Sequence, residues 1–420
     1  MKTIKRRSFV QGCCAGIAAL SGSRITKMAF AQDEQFGRDV LINVFLRGGM
    51  DSLNYFIPYA DPDYHLARAD LGIGDSSALD IDGYFGLHPA AIRLMELYNQ
   101  GHLAFIPASG LPIANRSHFQ AQDYIERGYV GDEGKQYGGW LARHLADTAA
   151  GTPFDGVSFG SSVATSLESF PGAIAMNNLN GFSLSGSSSQ RNDLRRALRA
   201  MWNPEQEFGV VAHQTLDLVD VIAANSPENY VPVDGVEYPR ESIADSLKSI
   251  AQLIKLDLGL QAATVDYGGW DTHESQAGGN PAEGYFAQRA QRLSDSLHAF
   301  WNDMVNYHGK VTMVVMSEFG RRVKENDNRG TDHGHGGLMM VFSTDLVEKK
   351  IWGQWPGLSS DQLFQRVDLD VTTDYRTVLS EILITRLKQY NISGIFPGYA
   401  FDQPLGLFGM TTPVRNWDMY

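Results

Sequence analysis

The sequence predicts an α/β sandwich built around a mostly parallel sheet. Three observations lead there. Apolar runs of strand length alternate with segments of helical periodicity. One run, Val311 to Met316 (VTMVVM), is continuously apolar, as a parallel strand covered on both faces must be. Several runs also end in Gly-rich loops carrying Asp, Ser, His or Glu.

In chain order, Asp39 to Leu46 is an apolar strand leading into Arg47-Gly48-Gly49. A helix starts at His88-Pro89 and runs to about Tyr98, and Leu103 to Ile106 is the next strand. Ser117 to Arg127 reads as a helix with Ser117 at its N-cap. From about 130 to 235 the chain is rich in Gly, Ser and Asn around Ser183 to Ser189, which predicts a loop-rich insertion within one domain. Ile243, Leu247, Ile250 and Ile254 recur at helical spacing. Gln261 to Val265 is a strand ending at Gly268-Gly269-Trp270-Asp271. Phe286, Ala290, Leu293, Leu297 and Phe300 share one face of a further helix, and Val311 to Met316 follows. Thr373 is the expected cap of a last helix whose inward residues are Leu379, Ile382, Leu383 and Leu387.

The first 31 residues have the form of a twin-arginine export signal. Lys2, Lys5, Arg6 and Arg7 are followed by a modestly apolar stretch from Gly12 to Leu20 and by Ala29-Phe30-Ala31, a cleavage-type site. That stretch is too short to span a bilayer, and no later one is long and apolar enough. Cys13 and Cys14 sit at the start of the apolar stretch rather than after it, which argues against a lipid anchor. Cleavage removes six basic residues and no acidic ones, taking the net charge from −13 to −19. It also removes both cysteines, leaving residues 32–420 with no disulfide, thiolate ligand or cysteine nucleophile. The acidity argues against nucleic acid and, after cleavage, against an anionic membrane as partner.

In open α/β sheets ligands bind beyond the carboxyl ends of the strands, so the residues following each strand are candidates. Asp51 follows the first strand, where an Asp in a Gly-rich loop serves either as a turn residue or as a ligand. Asp271 and His273 form a D-x-H pair whose side chains share one side of an extended segment. They are either metal ligands or an Asp–His hydrogen bond that pins the loop. Glu318 sits at the mouth of the VTMVVM strand, and Arg321 is placed to bind a substrate anion or to pair with Glu318. Asp332, His333 and His335 lie among glycines that let the backbone turn His and carboxylate side chains toward one point. Ser117 has two readings: a helix cap, or a nucleophile placed where the helix dipole favours a phosphoryl oxygen. Its neighbour His118, like Arg321, is a candidate for steadying substrate.

Taken together, LRGGMDSLN, RSHFQAQDYIERG, GGWDTHESQ, VVMSEFGRR, GTDHGHGG and TTDYR make the chain resemble the exported bacterial proteins grouped as domain-of-unknown-function family 1501. That family looks like a branch of the alkaline phosphatase and sulfatase superfamily. The resemblance implies a three-layer, alkaline-phosphatase-like sandwich and a metal-dependent hydrolase of phosphate, less readily sulfate, esters. Ser117 would be the nucleophile, and Asp51, Asp271, His273, Glu318, Asp332, His333 and His335 the pool of ligands. The implied cofactor is one or two divalent ions, with Zn first and Mn, Mg or Ca as alternatives. The implied partners are a small-molecule or polymer-borne anionic ester and the twin-arginine export machinery, which places the protein in the periplasm or outside the cell. One departure stands out: the apolar strand ends in Ser317-Glu318-Phe319-Gly320 where the superfamily has Ser-Asp-His-Gly. The chain also lacks the motif that sulfatases convert to formylglycine. The altered step keeps open a non-catalytic binding or assembly protein that retains the fold.

Overall fold

A computed structural model describes residues 39–412, apart from 150, 153, 185, 204–206, 225–228 and 349–350. The expected export signal lies outside the described residues. Eight strands form the central sheet: β1 (Val40–Leu46), β2 (Leu103–Gly110), β3 (Gly156–Phe159), β4 (Ala173–Met176), β5 (Ala262–Tyr267), β6 (Val311–Ser317), β7 (Gly337–Phe342) and β8 (Thr373–Asp374). Their spatial order is β8-β2-β7-β6-β1-β5-β3-β4. All neighbouring pairs are parallel except those made by β7, which runs antiparallel to both β2 and β6. The chain is thus α/β with a large, mostly parallel sheet.

Helices of eight residues or more are α1 (Ile92–Asn99), α2 (His118–Arg127), α3 (Trp140–Thr148), α4 (Ser188–Met201), α5 (Glu207–Ala224), α6 (Ser242–Lys255), α7 (Tyr285–Asp303) and α8 (Tyr375–Thr385). They cover both faces of the sheet, and the alternation of strand side chains shows how. Val40, Ile42 and Val44 of β1 join Leu94 of α1, Leu247 of α6 and Leu297 of α7 in one core. Leu41 and Phe45 of the same strand join Ile125 of α2, Leu141 of α3 and Leu379 of α8 in another. Each such side chain contributes about 1.5–3 kcal/mol on burial, so a one-residue slip of β1 would misplace both cores at once. Buried on both faces, β1 and β6 are almost wholly apolar, broken within the strands only by Asn43 and Thr312 before Ser317 ends β6.

Three expectations change in detail. The stretch from 130 to 235 is built partly into the sheet, where β3 extends β5 and β4 extends β3. The last helix is capped by Asp374, whose side chain accepts the Arg376 N–H, while Thr373 lies in β8. Ser117 occupies the N-cap of α2 but makes no side-chain capping bond. Among the described residues, no helix is long and apolar enough to cross a membrane.

Candidate metal centre

The strands β6, β1 and β5 lie side by side and parallel, so their carboxyl ends deliver three loops to one edge. The loop after β1 approaches the loop after β5 closely enough that a Cβ on Gly48 (φ +118°) would sit 2.6 Å from the Asp271 amide nitrogen. Glycine alone allows that backbone and that approach. Gly330 does the same service for the β6–β7 loop, where a Cβ would fall 2.3 Å from the His273 carbonyl carbon.

Arg321 ties these loops together. Its buried guanidinium donates to the carbonyls of Gly49 (2.6 Å), Thr331 (2.8 Å), Gly48 (2.5 Å) and Trp270 (3.2 Å), and to Asp271 Oδ1 (2.6 Å). Its side chain is fully buried, so it neither faces substrate nor pairs with Glu318. The expectation that Arg321 binds a substrate anion is therefore corrected: loop carbonyls and Asp271 engage its donors.

Asp271 is the centre of the cluster. Its Oδ1 lies 3.0 Å from His273 Nε2 and 3.2 Å from His333 Nε2, and its Oδ2 lies 3.4 Å from His118 Nε2. One ligand atom from each of His118, Asp271 and His333 falls within a group spanning 4.8 Å, and these three residues could hold a metal ion. His273 adjoins them, with its Nε2 only 2.8 Å from that of His333.

Acceptors behind the rings hold their Nδ1 atoms. His333 Nδ1 lies 2.8 Å from the Arg116 carbonyl, which can only accept, so Nδ1 carries the proton. His118 Nδ1 lies 2.7 Å from Glu318 Oε1, and His273 Nδ1 lies 3.2 Å from Asp332 Oδ1. All three rings turn Nε2 toward Asp271, and that of His118 is buried without a hydrogen-bond partner. Lone pairs at 2.8–3.4 Å repel unless protons or a cation lie among them. A tetrahedral Zn ion with bonds of about 2.0–2.1 Å would set its ligand atoms about 3.3 Å apart, a spacing these distances bracket. The donor set fits a divalent cation.

Electrostatics agree in direction. Burial works against ionising Asp271, but Arg321 overrides it by hydrogen bond and charge, with His118 and His273 assisting, and the pKa falls to about 2. The Glu318 hydrogen bond raises His118, whereas burial lowers His333. Asp332 is held low, first by its Asn326 hydrogen bond.

The other expected ligands stand apart. Asp51 is fully buried and its Oδ2 accepts from Arg68 Nη1 (2.5 Å) and Gln276 Nε2 (2.6 Å), so an arginine supplies its counter-charge. Glu318 is also fully buried and accepts on Oε1 from Gly48 N, His118 Nδ1 and Gln122 Nε2 at 2.7–2.8 Å. Asp332 holds His273 from behind. His335 is buried against the Phe364 ring at 4.5 Å, and burial lowers its pKa to about 4. Ser117 is exposed and lies in the chain between Arg116, whose carbonyl holds His333, and His118 of the cluster.

Sequence reasoning missed Arg68, Gln276, Gln122 and the Arg116 carbonyl. Gln122 had a signal, since it stands one helical turn after His118 on the same face. A backbone carbonyl has none.

The sequence model of the family described as protein of unknown function (DUF1501) matches residues 106–386, so the chain belongs to that family. Among solved structures, the chain is similar to the C-terminal periplasmic domain of EcEptC from Escherichia coli, determined in complex with Zn. That similarity has 9% identity and a TM-score of 0.34, covering 74% of this chain and 75% of that one. No curated protein matches.

Proposed function

We propose that this member of the DUF1501 family works outside the cytoplasm as a metal-dependent hydrolase of phosphate esters. In this reading it has an alkaline-phosphatase-like fold, Ser117 is the nucleophile, and His118, Asp271 and His333 hold one divalent cation. Sulfate esters are the less favoured substrates. The observation that carries the reading is the convergence of three imidazole Nε2 atoms on one carboxylate. Two imidazoles and a carboxylate favour Zn over Mg or Ca, which prefer all-oxygen sites. An N-terminal twin-arginine signal fits the same picture, because export of a folded chain lets the cytoplasm load the metal.

Bound there, the cation would supply Lewis-acid stabilisation to charge developing on the phosphoryl oxygens. The chain's own residues do the rest. Ser117 Oγ makes no capping bond and is free to turn toward an ester held at the start of α2, whose dipole favours the anion. Asp271, kept ionised by Arg321, remains an acceptor for the cation across the working pH range.

The second reading, a secreted binding or assembly protein, draws on one observation. Arg68 neutralises Asp51, so the pool of available ligands suits one ion rather than two. Elemental analysis after native export tests both readings: about one equivalent per chain is expected, and a metal-free, stable protein refutes the hydrolase. A panel of aryl phosphate, phosphodiester and sulfate substrates then separates them. Turnover abolished by Ser117→Ala supports the hydrolase, and metal binding with no turnover supports the binding protein.

A further inference from the structure

We infer that Glu318 is a positioning residue that sets the metal ligand His118 in place, rather than a ligand itself. The inference rests on the metal reading above and deepens it.

Lone-pair accounting carries the point. A carboxylate oxygen has two lone pairs, yet Glu318 Oε1 already meets three N–H donors: His118 Nδ1 (2.7 Å), Gly48 N (2.8 Å) and Gln122 Nε2 (2.8 Å). No lone pair of Oε1 is left for a cation. Oε2 turns the other way, to Ser317 Oγ at 3.0 Å, and the side chain has no solvent exposure. The Gly48 donor comes from the β1 loop and the other two from α2, so one carboxylate at the end of β6 locks two separate segments.

The consequence for His118 is specific. An anionic acceptor on Nδ1 holds the proton there, fixes the ring plane and makes Nε2 the better donor to a cation. That Nε2 is the buried, unpartnered nitrogen facing Asp271. His118 and Gln122 stand four residues apart on one face of α2 and grip the same oxygen, so Glu318 also sets the angle at which the helix enters the site. Ser117, the residue before α2, is placed by the same contact.

The test uses the full exported chain, stripped of metal with a chelator. Zinc affinity is measured by competition with a chromophoric chelator, and ligand number is followed by the visible absorption of the cobalt-loaded protein. Glu318→Gln is expected to weaken zinc binding by about 10–100-fold while leaving the cobalt spectrum that of an unchanged ligand set. His118→Ala is expected to change that spectrum, and the double variant to bind zinc no more weakly than His118→Ala alone, because Glu318 acts through His118. Unchanged affinity in Glu318→Gln, a cobalt spectrum that has lost a ligand, or additive losses would each overturn the inference while leaving the metal reading intact. A wild-type chain that binds no zinc would overturn both. Should Glu318→Gln fail to fold, nitrogen-15 NMR of the zinc-loaded wild type decides: Nδ1 of His118 protonated and Nε2 metal-bound is the expected state, and the reverse assignment refutes it.

Discussion

Asp51 and Asp271 follow neighbouring strands at the same edge of the sheet, and they end in different states. Asp51 is sealed from solvent, with Arg68 and Gln276 on one oxygen and the other oxygen unpartnered. Asp271 is part-exposed, is kept ionised by Arg321, and faces the Nε2 atoms of three imidazoles. Each carboxylate has a buried arginine beside it, but only Asp271 also meets imidazole nitrogens and solvent. Position after a strand nominates a ligand, but its partners decide whether it remains available.

The largest expected effect falls on metal binding. Asp271→Asn should weaken zinc binding by at least about 100-fold, more than loss of an outer partner does, while Asp51→Asn should leave metal stoichiometry unchanged. Metal analysis of the two purified variants makes the contrast. If Asp51→Asn also empties the site, the two carboxylates serve one centre and the distinction fails.

Stability should show the reverse ranking. Arg68→Ala leaves the Asp51 charge buried and unpaired, with an expected loss of about 3–5 kcal/mol in denaturant unfolding and no change in metal content. A loss below about 1 kcal/mol would mean that water reaches Asp51 and that it is not sealed after all.

Acid should act through the interior more than through the exposed rim. Burial depresses the pKa values of His88 and His144 to about 4. A histidine held neutral in the fold and free to protonate once unfolded contributes stability that is full above about pH 6.5 and lost as pH falls to about 4. The expected loss over that window is on the order of a few kcal/mol per residue, read from unfolding midpoints of metal-free protein. His144→Gln should flatten that slope.

The smallest effect sharpens the role of Ser117. Loss of an N-cap side chain ordinarily costs about 1 kcal/mol, but this one makes no capping bond, so Ser117→Ala should change stability by less than about 0.5 kcal/mol. A full capping penalty would make Ser117 a structural residue and weaken its candidacy as nucleophile.

Much of the fold was legible because burial on both faces forces a recognisable composition. β1 and β6 are apolar at nearly every buried position, and α6 and α7 repeat their buried residues at helical spacing. β3 and β4 were not legible, since at four residues each they carry too short a pattern to separate from the loops around them. In the site, Asp271, His273 and His333 were nominated by D-x-H and DHGH. Asp51, Glu318 and His335 were nominated on the same grounds, and the structure gives them an ion pair, an outer hydrogen-bonded position and a place against Phe364.

The sequence by itself determined the class of architecture and the kinds of donor delivered to one sheet edge, because periodicity and glycine placement are local properties. Only the tertiary structure decided which donors remain available. That depends on groups far away in the chain: Glu318 behind His118, the Arg116 carbonyl behind His333, and Arg68 against Asp51. A side chain's lone pairs are directed or neutralised by whatever packing brings against them, and no local pattern records that.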